Sequence, residues 1–364
     1  MLTSKEKSDT RRLPMMPIRD VVISDTSSNL VDPEIDWLGN RIVWADWDGV
    51  WIADIDPVPG DFMSYSLRVP LGVVGAITPW NVPFYLNIAE TVPALMAGNT
   101  VVLKPAQLTP WSGSELARIV AEETDIPAGV FNVVVSNANE VGAALSADPR
   151  VDMITFTGST ATGRAILAAA APTVKKTIME LGGKSAHIVL DDAKLDKCLP
   201  IASMIACVMS GQACIMSSRI LLPRSRYEEG IEILKASMEA APVGDPWDPG
   251  VLQGPQINGA QRQKVLGLIR GGIDDGARLV TGGGIPENLP VGYYTQPTLL
   301  ADVDPFSRIA QEEIFGPVLT VIPYDTDDEA VAIANNSVYG LSGEVTSADP
   351  GLSLLNISEP TRPD

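Results

Sequence analysis

The sequence has 364 residues, of which 45% are hydrophobic and 20% are charged, a composition typical of a globular protein large enough for two domains. Its 45 acidic and 26 basic residues give a formal net charge of −19. Because binding to phosphate groups requires basic patches, this charge argues against nucleic acid or an anionic membrane surface as the partner.

The cysteine and histidine content indicates neither a disulfide framework nor a metal site. There are three cysteines, whose spacing fits no zinc-binding pattern, and His187 is the only histidine. The N-terminus lacks the apolar core of a signal peptide, and the longest apolar runs are too short to cross a bilayer. We therefore expect a cytoplasmic protein with no metal ion.

The first elements lie in a segment rich in tryptophan. Four of the seven tryptophans fall within residues 37–51, and the pattern around Asp48 and Gly49 predicts a β-hairpin. This segment, residues 1–58, differs in character from the chain that follows it.

From about residue 70 the chain alternates between strand-like and helix-like segments. The predicted strands are 72–77, 100–104, 130–135, 153–158, 186–190 and 219–223. The predicted helices between them are 85–97, 112–123, 139–147, 162–170 and 194–210. Near-continuous apolar strands separated by helices predict an α/β fold with a parallel sheet covered on both faces. A helix over 257–275 and a strand over 318–324 predict a second α/β unit.

Polar motifs follow the first two of these strands. Asn81 stands in "TPWNVP" and Lys104 in "LKPAQLTP", where open α/β sheets place their ligands. Taken alone, the asparagine is more simply a turn residue beside prolines, and the lysine is more simply a solvated strand end.

Two further motifs lie near the middle of the chain. In "FTGSTATG", Gly158 allows close backbone approach, and Ser159 with the free N–H groups of a helix start can hold a pyrophosphate. In "MELGGK", Glu180 is either a general base or a charge at the surface end of a helix. His187 alternates with strand residues and is interpreted as a packing residue.

The third cysteine, Cys214, follows the predicted end of a helix in "SGQAC", whereas Cys198 and Cys207 lie within that helix and are interpreted as packing residues. A loop cysteine near glycine can be exposed and activated as a nucleophile. Further on, "QEEIFGPV" places Glu313 and Phe315 ahead of a strand; alone it is a charged turn with one apolar anchor.

Together, these motifs resemble those of the aldehyde dehydrogenase superfamily, which carries "PWN", "LKP", "FTGS", "ELGGK", a cysteine after "GQ" and "E-x-FGP" in this order. The resemblance covers residues of about 60–345. It implies a Rossmann-like, parallel-sheet domain for NAD(P) over residues 59–182 and an α/β catalytic domain over 183–349. It also implies oxidation of an aldehyde to a carboxylic acid and association into a homo-oligomer.

The resemblance implies a role for each catalytic position. Cys214 would attack the aldehyde carbon, and Asn81 with the Cys214 N–H would hold the resulting alkoxide. Glu180 would activate the water that hydrolyses the thioester. The positions implied to contact the cofactor, NAD or NADP, are Pro79, Trp80, Lys104, Gln107, Gly158, Ser159, Glu313 and Phe315.

Position 107 departs from the family pattern. The family often has an acidic residue there, three residues after the lysine, whereas this sequence has Gln107. Because an acidic residue would repel a 2′-phosphate, we expect NAD to be used but NADP to be excluded less strongly than usual.

The two ends of the chain lead to an alternative. Residues 1–58 and the tail 350–364 do not carry family motifs, so we expect both domains to be incomplete relative to the family. The alternative is a truncated or fused relative that is misfolded or acts only in association. A third possibility is the acylating branch of the family, which uses coenzyme A in place of water, and the retained Glu180 argues against it.

Overall fold

A computed structural model of the protein describes residues 69–349 in full and, before them, the backbone of six short strands. These six strands are β1 Arg11–Arg12, β2 Val22–Ile23, β3 Glu34–Asp36, β4 Arg41–Asp46, β5 Gly49–Asp56 and β6 Ser64–Leu67. Strands β3 to β6 form an antiparallel sheet in chain order, and Asp46 of β4 lies opposite Gly49 of β5, where the sequence predicts the hairpin. The predicted tail 350–364 lies outside the described residues.

The chain divides into two compact units. One contains the chain up to Thr157 together with Arg164–Met179, and the other contains Gly158–Gly163 and the chain from Glu180 onward. The predicted boundaries of a cofactor domain and a catalytic domain, at residues 182 and 183, stay predictions.

The first unit is built on a five-stranded sheet in the order β11-β10-β7-β8-β9. The pairs β10–β7, β7–β8 and β8–β9 are parallel, as the alternation of strands and helices predicts. The strands are β7 Val73–Ile77, β8 Thr100–Lys104, β9 Phe131–Val133, β10 Met153–Thr157 and β11 Lys176–Glu180. The helices are α1 Pro83–Met96, α2 Pro110–Glu123, α3 Asn139–Ala147 and α4 Thr160–Ala170.

Apolar strand residues and proline-started helices account for this sheet. Val74, Val101 and Leu103 are buried between the strands and helix α2. Both α1 and α2 begin with a proline, whose fixed φ and missing N–H suit the first helical position. The chain runs outward from β7 through β8 to β9 and then returns to β10 on the other side of β7. This reversal is the kind of place where open α/β sheets bind ligands.

The second unit contains a six-stranded sheet in the order β14-β15-β16-β13-β12-β17. Four of its five pairings are parallel, and β14 runs antiparallel to β15, so this sheet is mixed. The strands are β12 Ala186–Val189, β13 Arg219–Pro223, β14 Arg278–Thr281, β15 Thr298–Ala301, β16 Val318–Tyr324 and β17 Glu344–Thr346. The helices are α5 Leu195–Cys207, α6 Tyr227–Glu239, α7 Gly259–Asp274, α8 Arg308–Gln311 and α9 Asp327–Asn335.

Both faces of this sheet are covered. Along β13, Ile220 and Leu222 pack with residues of α5 and α6, while Leu221 packs on the opposite face with residues of α7 and α9. This alternation follows from the two-residue period of a strand, and it makes β13 buried along its whole length. The predicted α/β class is confirmed in both units.

Two local expectations differ from the structure. Glu180 does not lie at the end of a helix; it is the last residue of β11, a strand whose side chains alternate between exposed and half-buried. The helix predicted over 194–210 ends at Cys207, and a 3-10 turn, Val208–Gly211, follows it. None of the helices in the described part of the chain has both the length and the apolar character needed to span a membrane.

Candidate active site

The segment that leads to Cys214 has an unusual backbone. Met209, Ser210 and Gly211 all lie in the left-handed region, with φ values of 51°, 57° and 69°. A Cβ at Gly211 would lie 2.2 Å from the carbonyl carbon of Gly316, so only glycine fits there. Left-handed residues other than glycine are costly and persist where their surroundings hold them.

Hydrogen bonds from a later segment hold this turn. The Ser210 hydroxyl donates to the carbonyl of Gly254 at 2.7 Å, and the Gln256 amide donates to the Ser210 carbonyl at 2.9 Å. The Gln212 side chain accepts from the Ile257 N–H at 2.9 Å. The residues before Cys214 are therefore fixed by contacts that no local pattern reveals.

The thiol of Cys214 is half-buried and lies among acidic groups. Burial raises its pKa, the charge of Glu313 raises it further, and the charge of Glu180 adds a smaller effect in the same direction. The backbone N–H groups of Cys214 and Ile215 act in the opposite direction, because they favour the thiolate. The free protein therefore holds a protonated thiol at neutral pH, and a base is needed to activate it.

The other two cysteines are less suited to nucleophilic chemistry. Cys207 is fully buried, its sulfur lies 4.0 Å from that of Met238, and burial raises the pKa of its thiol to about 12. Cys198 is half-buried on α5, and burial raises its pKa as well.

Two glycines between β11 and β12 lie against the backbone of Cys214 and the carboxylate of the distant Glu313. The Gly183 N–H donates to Glu313 Oε1 at 3.1 Å. A Cβ at Gly182 would lie 2.8 Å from Glu313 Oε2, and a Cβ at Gly183 would lie 2.5 Å from the carbonyl oxygen of Cys214. Because neither glycine has a side chain, the Cys214 carbonyl and the Glu313 carboxylate can both lie close to this dipeptide.

Positive groups and an N–H donor offset the burial of Glu313. Burial raises the pKa of this carboxyl group, whereas the Gly183 N–H, Lys264 and Lys184 lower it. The side chain of Lys184 is only 1% exposed, and its Nζ has no hydrogen-bond partner among the described residues. Burial, with the nearby charge of Arg219, lowers the pKa of Lys184 to about 7. Sequence reasoning missed Lys184, because a lysine after two glycines carries no sign of burial.

Phe315, two residues after Glu313, has a left-handed backbone conformation with a φ of 59°. The side-chain amide of Gln261 donates to the Phe315 carbonyl at 2.8 Å and lies 3.3 Å from that of Ile314. A strained residue held by a buried contact is a common feature of functional sites.

The turn predicted to hold a pyrophosphate starts helix α4. The Gly158 N–H donates to the carbonyl of Glu180 at 2.9 Å, which ties this turn to the end of β11. The Ser159 hydroxyl lies 2.9 Å from the hydroxyl of Thr162 and accepts from the Thr162 N–H at 3.3 Å. Ser159 therefore caps the first turn of the helix in addition to any contact with a ligand.

The remaining predicted residues belong to the first unit. Pro79, Trp80 and Asn81 directly follow β7, and Lys104 ends β8, where it pairs with Ile77 of β7. Burial lowers the pKa of Lys104, whose Nζ lies 3.5 Å from the Pro105 carbonyl. Gln107 is exposed in the next loop.

The structure thus gathers the predicted residues into two groups. One group, in the first unit, is Pro79, Trp80, Asn81, Lys104 and Gln107; the other, in the second unit, is Gly158, Ser159, Glu180, Cys214, Glu313 and Phe315. In the described part of the chain, no cluster of three or more histidine, cysteine or carboxylate side chains is placed to hold a metal ion.

Comparison with known proteins agrees with the motifs. A model of the aldehyde dehydrogenase family matches residues 50–356. Betaine aldehyde dehydrogenase of Rhizobium johnstonii is 40% identical over 350 residues, which are 96% of this chain and 69% of that protein. The similarity therefore extends beyond the motif-bearing residues 60–345.

Solved structures show the same architecture. The crystal structure of Mycobacterium tuberculosis aldehyde dehydrogenase with NAD+ matches with a TM-score of 0.78 and 45% identity, over 89% of this chain and 64% of that one. A mutant of aldehyde dehydrogenase C from Pseudomonas syringae, with alanine in place of a cysteine and with NAD+ and octanal, matches with a TM-score of 0.77 and 42% identity, over 83% of this chain and 60% of that one. The chain spans between 59% and 69% of the length of the curated relatives that it matches.

Proposed function

The chain belongs to the aldehyde dehydrogenase family, and from that premise we propose that it oxidises an aldehyde to a carboxylic acid with NAD+, and with NADP+ as a possible substitute. The observation that carries this proposal is the dipeptide Gly182–Gly183, against which the backbone of Cys214 and the carboxylate of Glu313 both lie. The related structures that contain NAD+ support the choice of cofactor.

Several features of the chain suit a dinucleotide. Glu313 presents a half-buried carboxylate that lies against Gly182, where a Cβ would be 2.8 Å from its Oε2, and a carboxylate is a good acceptor for ribose hydroxyl groups. Gly158 and Ser159 lie at the N-terminus of α4, where free N–H groups favour a phosphate. We propose that these residues hold the nicotinamide ribose and the pyrophosphate, and that Lys104 contacts the adenosine ribose. Phe315, Pro79 and Trp80 would pack against the cofactor. When bound, NAD+ supplies the acceptor for a hydride.

The first step is attack by Cys214. Its thiol transfers its proton to a general base, for which we propose the carboxylate of Glu180, and Glu180 releases that proton to solvent before the second step. The sulfur forms a bond to the aldehyde carbon, and the carbonyl π electrons move to oxygen to give an alkoxide. The Cys214 N–H and the side-chain amide of Asn81 would donate to this oxygen. Loss of one such donor typically raises the barrier by about 2.7–4 kcal/mol. Expulsion of the hydride restores the C=O bond and leaves a thioester on Cys214.

Glu180 would complete the cycle. Its carboxylate takes a proton from water, the resulting hydroxide attacks the thioester carbon, and the C–S bond breaks to release the acid and the thiolate. Glu180 lies close enough to Cys214 for its charge to raise the pKa of the thiol slightly, and this proximity supports the proposed role. The same retained carboxylate favours water over coenzyme A as the second substrate.

The substrate is proposed only as a class. Betaine aldehyde dehydrogenase is named for an aldehyde with a cationic group, whereas the Pseudomonas syringae mutant contains octanal. What these names share is the aldehyde group, which is the part of the substrate that Cys214 would attack. A homo-oligomer and a cytoplasmic location stay predictions.

Turnover tests the proposed function. The purified chain is mixed with NAD+ and a panel of aldehydes, and NADH absorbance is followed, with Cys214→Ala as the inactive variant and Cys198→Ala as the matched control. Turnover that Cys214→Ala abolishes and Cys198→Ala preserves is the expected result. Turnover that survives Cys214→Ala would assign the nucleophile elsewhere. A flat trace from a chain with an unfolded circular dichroism spectrum would favour the non-enzymatic alternative.

A further inference from the structure

A chain of hydrogen bonds runs through the first unit beneath two of its loops. The Thr78 hydroxyl donates to Asn87 Oδ1 at 2.6 Å, and Asn87 Nδ2 donates to the Ser112 hydroxyl at 3.2 Å. The Ser112 hydroxyl in turn donates to the Thr109 carbonyl at 3.1 Å. We call Thr78, Asn87 and Ser112 the polar chain.

Burial makes the hydrogen bonds of the polar chain costly to break. Asn87 is 0% exposed and Thr78 is 3% exposed, so neither can exchange its partner for bulk water. A buried amide without partners is costly, and an apolar residue on this face of α1 would avoid that cost. The amide is fully buried and satisfied, which favours one unique arrangement of the groups it joins.

The polar chain joins the loop that follows β7 to the segment that follows β8, and the predicted site residues of the first unit lie in these two segments or, for Lys104, at the end of β8. Thr78 directly precedes Pro79, Trp80 and Asn81, and its N–H also donates to the Lys104 carbonyl at 3.3 Å. At the other end, Thr109 and Ser112 lie at the start of α2, immediately after the loop that contains Gln107. One side chain on α1 therefore spans the gap between the ends of β7 and β8.

We propose that Asn87 is a positioning residue that sets the distance between the loop bearing Asn81 and the loop bearing Gln107, which directly follows Lys104 at the end of β8. This inference rests on the proposed function, because it assigns these loops to the oxyanion and to the cofactor ribose. Catalytic groups must be held to within about 0.5 Å, and residues locked by buried hydrogen bonds supply that support. Asn87 acts through its neighbours and does not itself contact a substrate.

Three variants and one control separate positioning from ordinary core packing. Thr78→Val removes the donor while keeping the shape, Ser112→Ala cuts the second link, and Thr78→Ser restores the hydroxyl. The control is Thr91→Val, on the same helix. Thr91 is also buried, but its hydroxyl donates at 2.6 Å to the Asn87 carbonyl, within α1.

Two measurements decide the outcome. In the Cys214→Ala background, isothermal titration calorimetry with NAD+ should give a Kd about tenfold higher for Thr78→Val and for Ser112→Ala, the size of one lost hydrogen bond. Thr78→Ser should stay within about twofold of the parent, and so should Thr91→Val, even with an equal loss of thermal stability. Hydrogen–deuterium exchange should be faster in both loops, 78–82 and 105–109, for Thr78→Val.

The two proposals fail in different ways. If the parent chain binds NAD+ and Thr78→Val changes neither Kd nor exchange in the 105–109 loop, the inference about Asn87 is wrong. Equal changes in the Thr91→Val control would also overturn it, because they would show a general packing effect. If the parent chain binds no NAD+, the proposed function fails, and faster exchange confined to the 78–82 loop would still refute the coupling.

Discussion

Replacement of Gly183 by alanine tests the geometry of the candidate active site directly. The added Cβ would lie 2.5 Å from the carbonyl oxygen of Cys214, whereas ordinary van der Waals contact begins at 3.4 Å. Because the opposing atom belongs to the backbone, a side-chain rotation cannot relieve the clash. The segment around Cys214 must therefore move by about 0.9 Å, or the Gly183 segment must move by the same amount and disturb its hydrogen bond to Glu313.

The expected loss of activity follows from this displacement. A misplacement of about 1 Å at a reacting group can lower the rate about 100-fold. Overpacking of a well-packed region typically costs about 1–3 kcal/mol of stability. We therefore expect Gly183→Ala to fold, to unfold at a lower denaturant concentration, and to have a kcat about 100-fold below that of the parent chain.

Helix α7 supplies the matched control. A Cβ at Gly271 has no atom within 4 Å, so Gly271→Ala should leave kcat unchanged and stabilise the protein by about 0.5–1 kcal/mol. The assay is steady-state NADH formation at saturating NAD+ and aldehyde, paired with urea unfolding of both variants. A Gly183→Ala chain whose kcat stays within about twofold of the parent would refute the close approach of Gly183 and Cys214.

Three further predictions concern charge and protonation. Because burial lowers the pKa of Lys184 from 10.5 to about 7, the unfolded chain binds one proton more than the native chain between these pH values, and native stability rises with pH across that window. Lys184→Met should remove this slope, on the order of 5 kcal/mol in total, in urea unfolding across the same window. The parent chain should show comparable kcat/KM with NAD+ and NADP+, and Gln107→Glu should lower kcat/KM for NADP+ by about tenfold, in steady-state assays with each cofactor. Because the pKa of Cys214 is raised, its alkylation by iodoacetamide should still accelerate above pH 9.0, while Cys207 should stay unmodified, as measured by peptide mass spectrometry.

Each of these predictions has a result that contradicts it. A pH slope of unfolding that persists in Lys184→Met would assign the slope to another group. Absolute selectivity for NAD+ in the parent chain would show that Gln107 does not weaken the exclusion of NADP+. Alkylation of Cys214 that levels off near neutral pH would show that the sulfur is already a thiolate in the free protein.

The sequence predicted the fold where the local pattern and the tertiary contacts agree. The strands Thr100–Lys104 and Arg219–Pro223 have the predicted bounds, because buried parallel strands are short runs of apolar residues between turns. Strand β11 was not predicted, because its side chains are half-exposed and its sequence has no apolar run. Glu180 was consequently placed at the end of a helix, although its residue number was identified as a site position.

The sequence motifs propose a set of site residues, and that set stays a prediction; they do not give the arrangement of those residues in space. Gly183 and Glu313 are 130 positions apart, and only the folded chain shows that an N–H of one meets the carboxylate of the other. The sequence did not identify Asn87 as a buried residue, because an asparagine in a helix is usually predicted to lie at the surface. The positioning function that we propose for it depends on the hydroxyl groups of Thr78 and Ser112, which lie outside α1.

The left-handed turn before Cys214 has a consequence for biosynthesis. Met209 and Ser210 each pay about 1–3 kcal/mol for their conformation, and the bonds that hold the turn come from residues 254–257. The turn therefore cannot be completed before residues 254–257 are available to it. The segment before Cys214 takes its final conformation only after a segment some forty residues further along the chain has been synthesised and has packed against it.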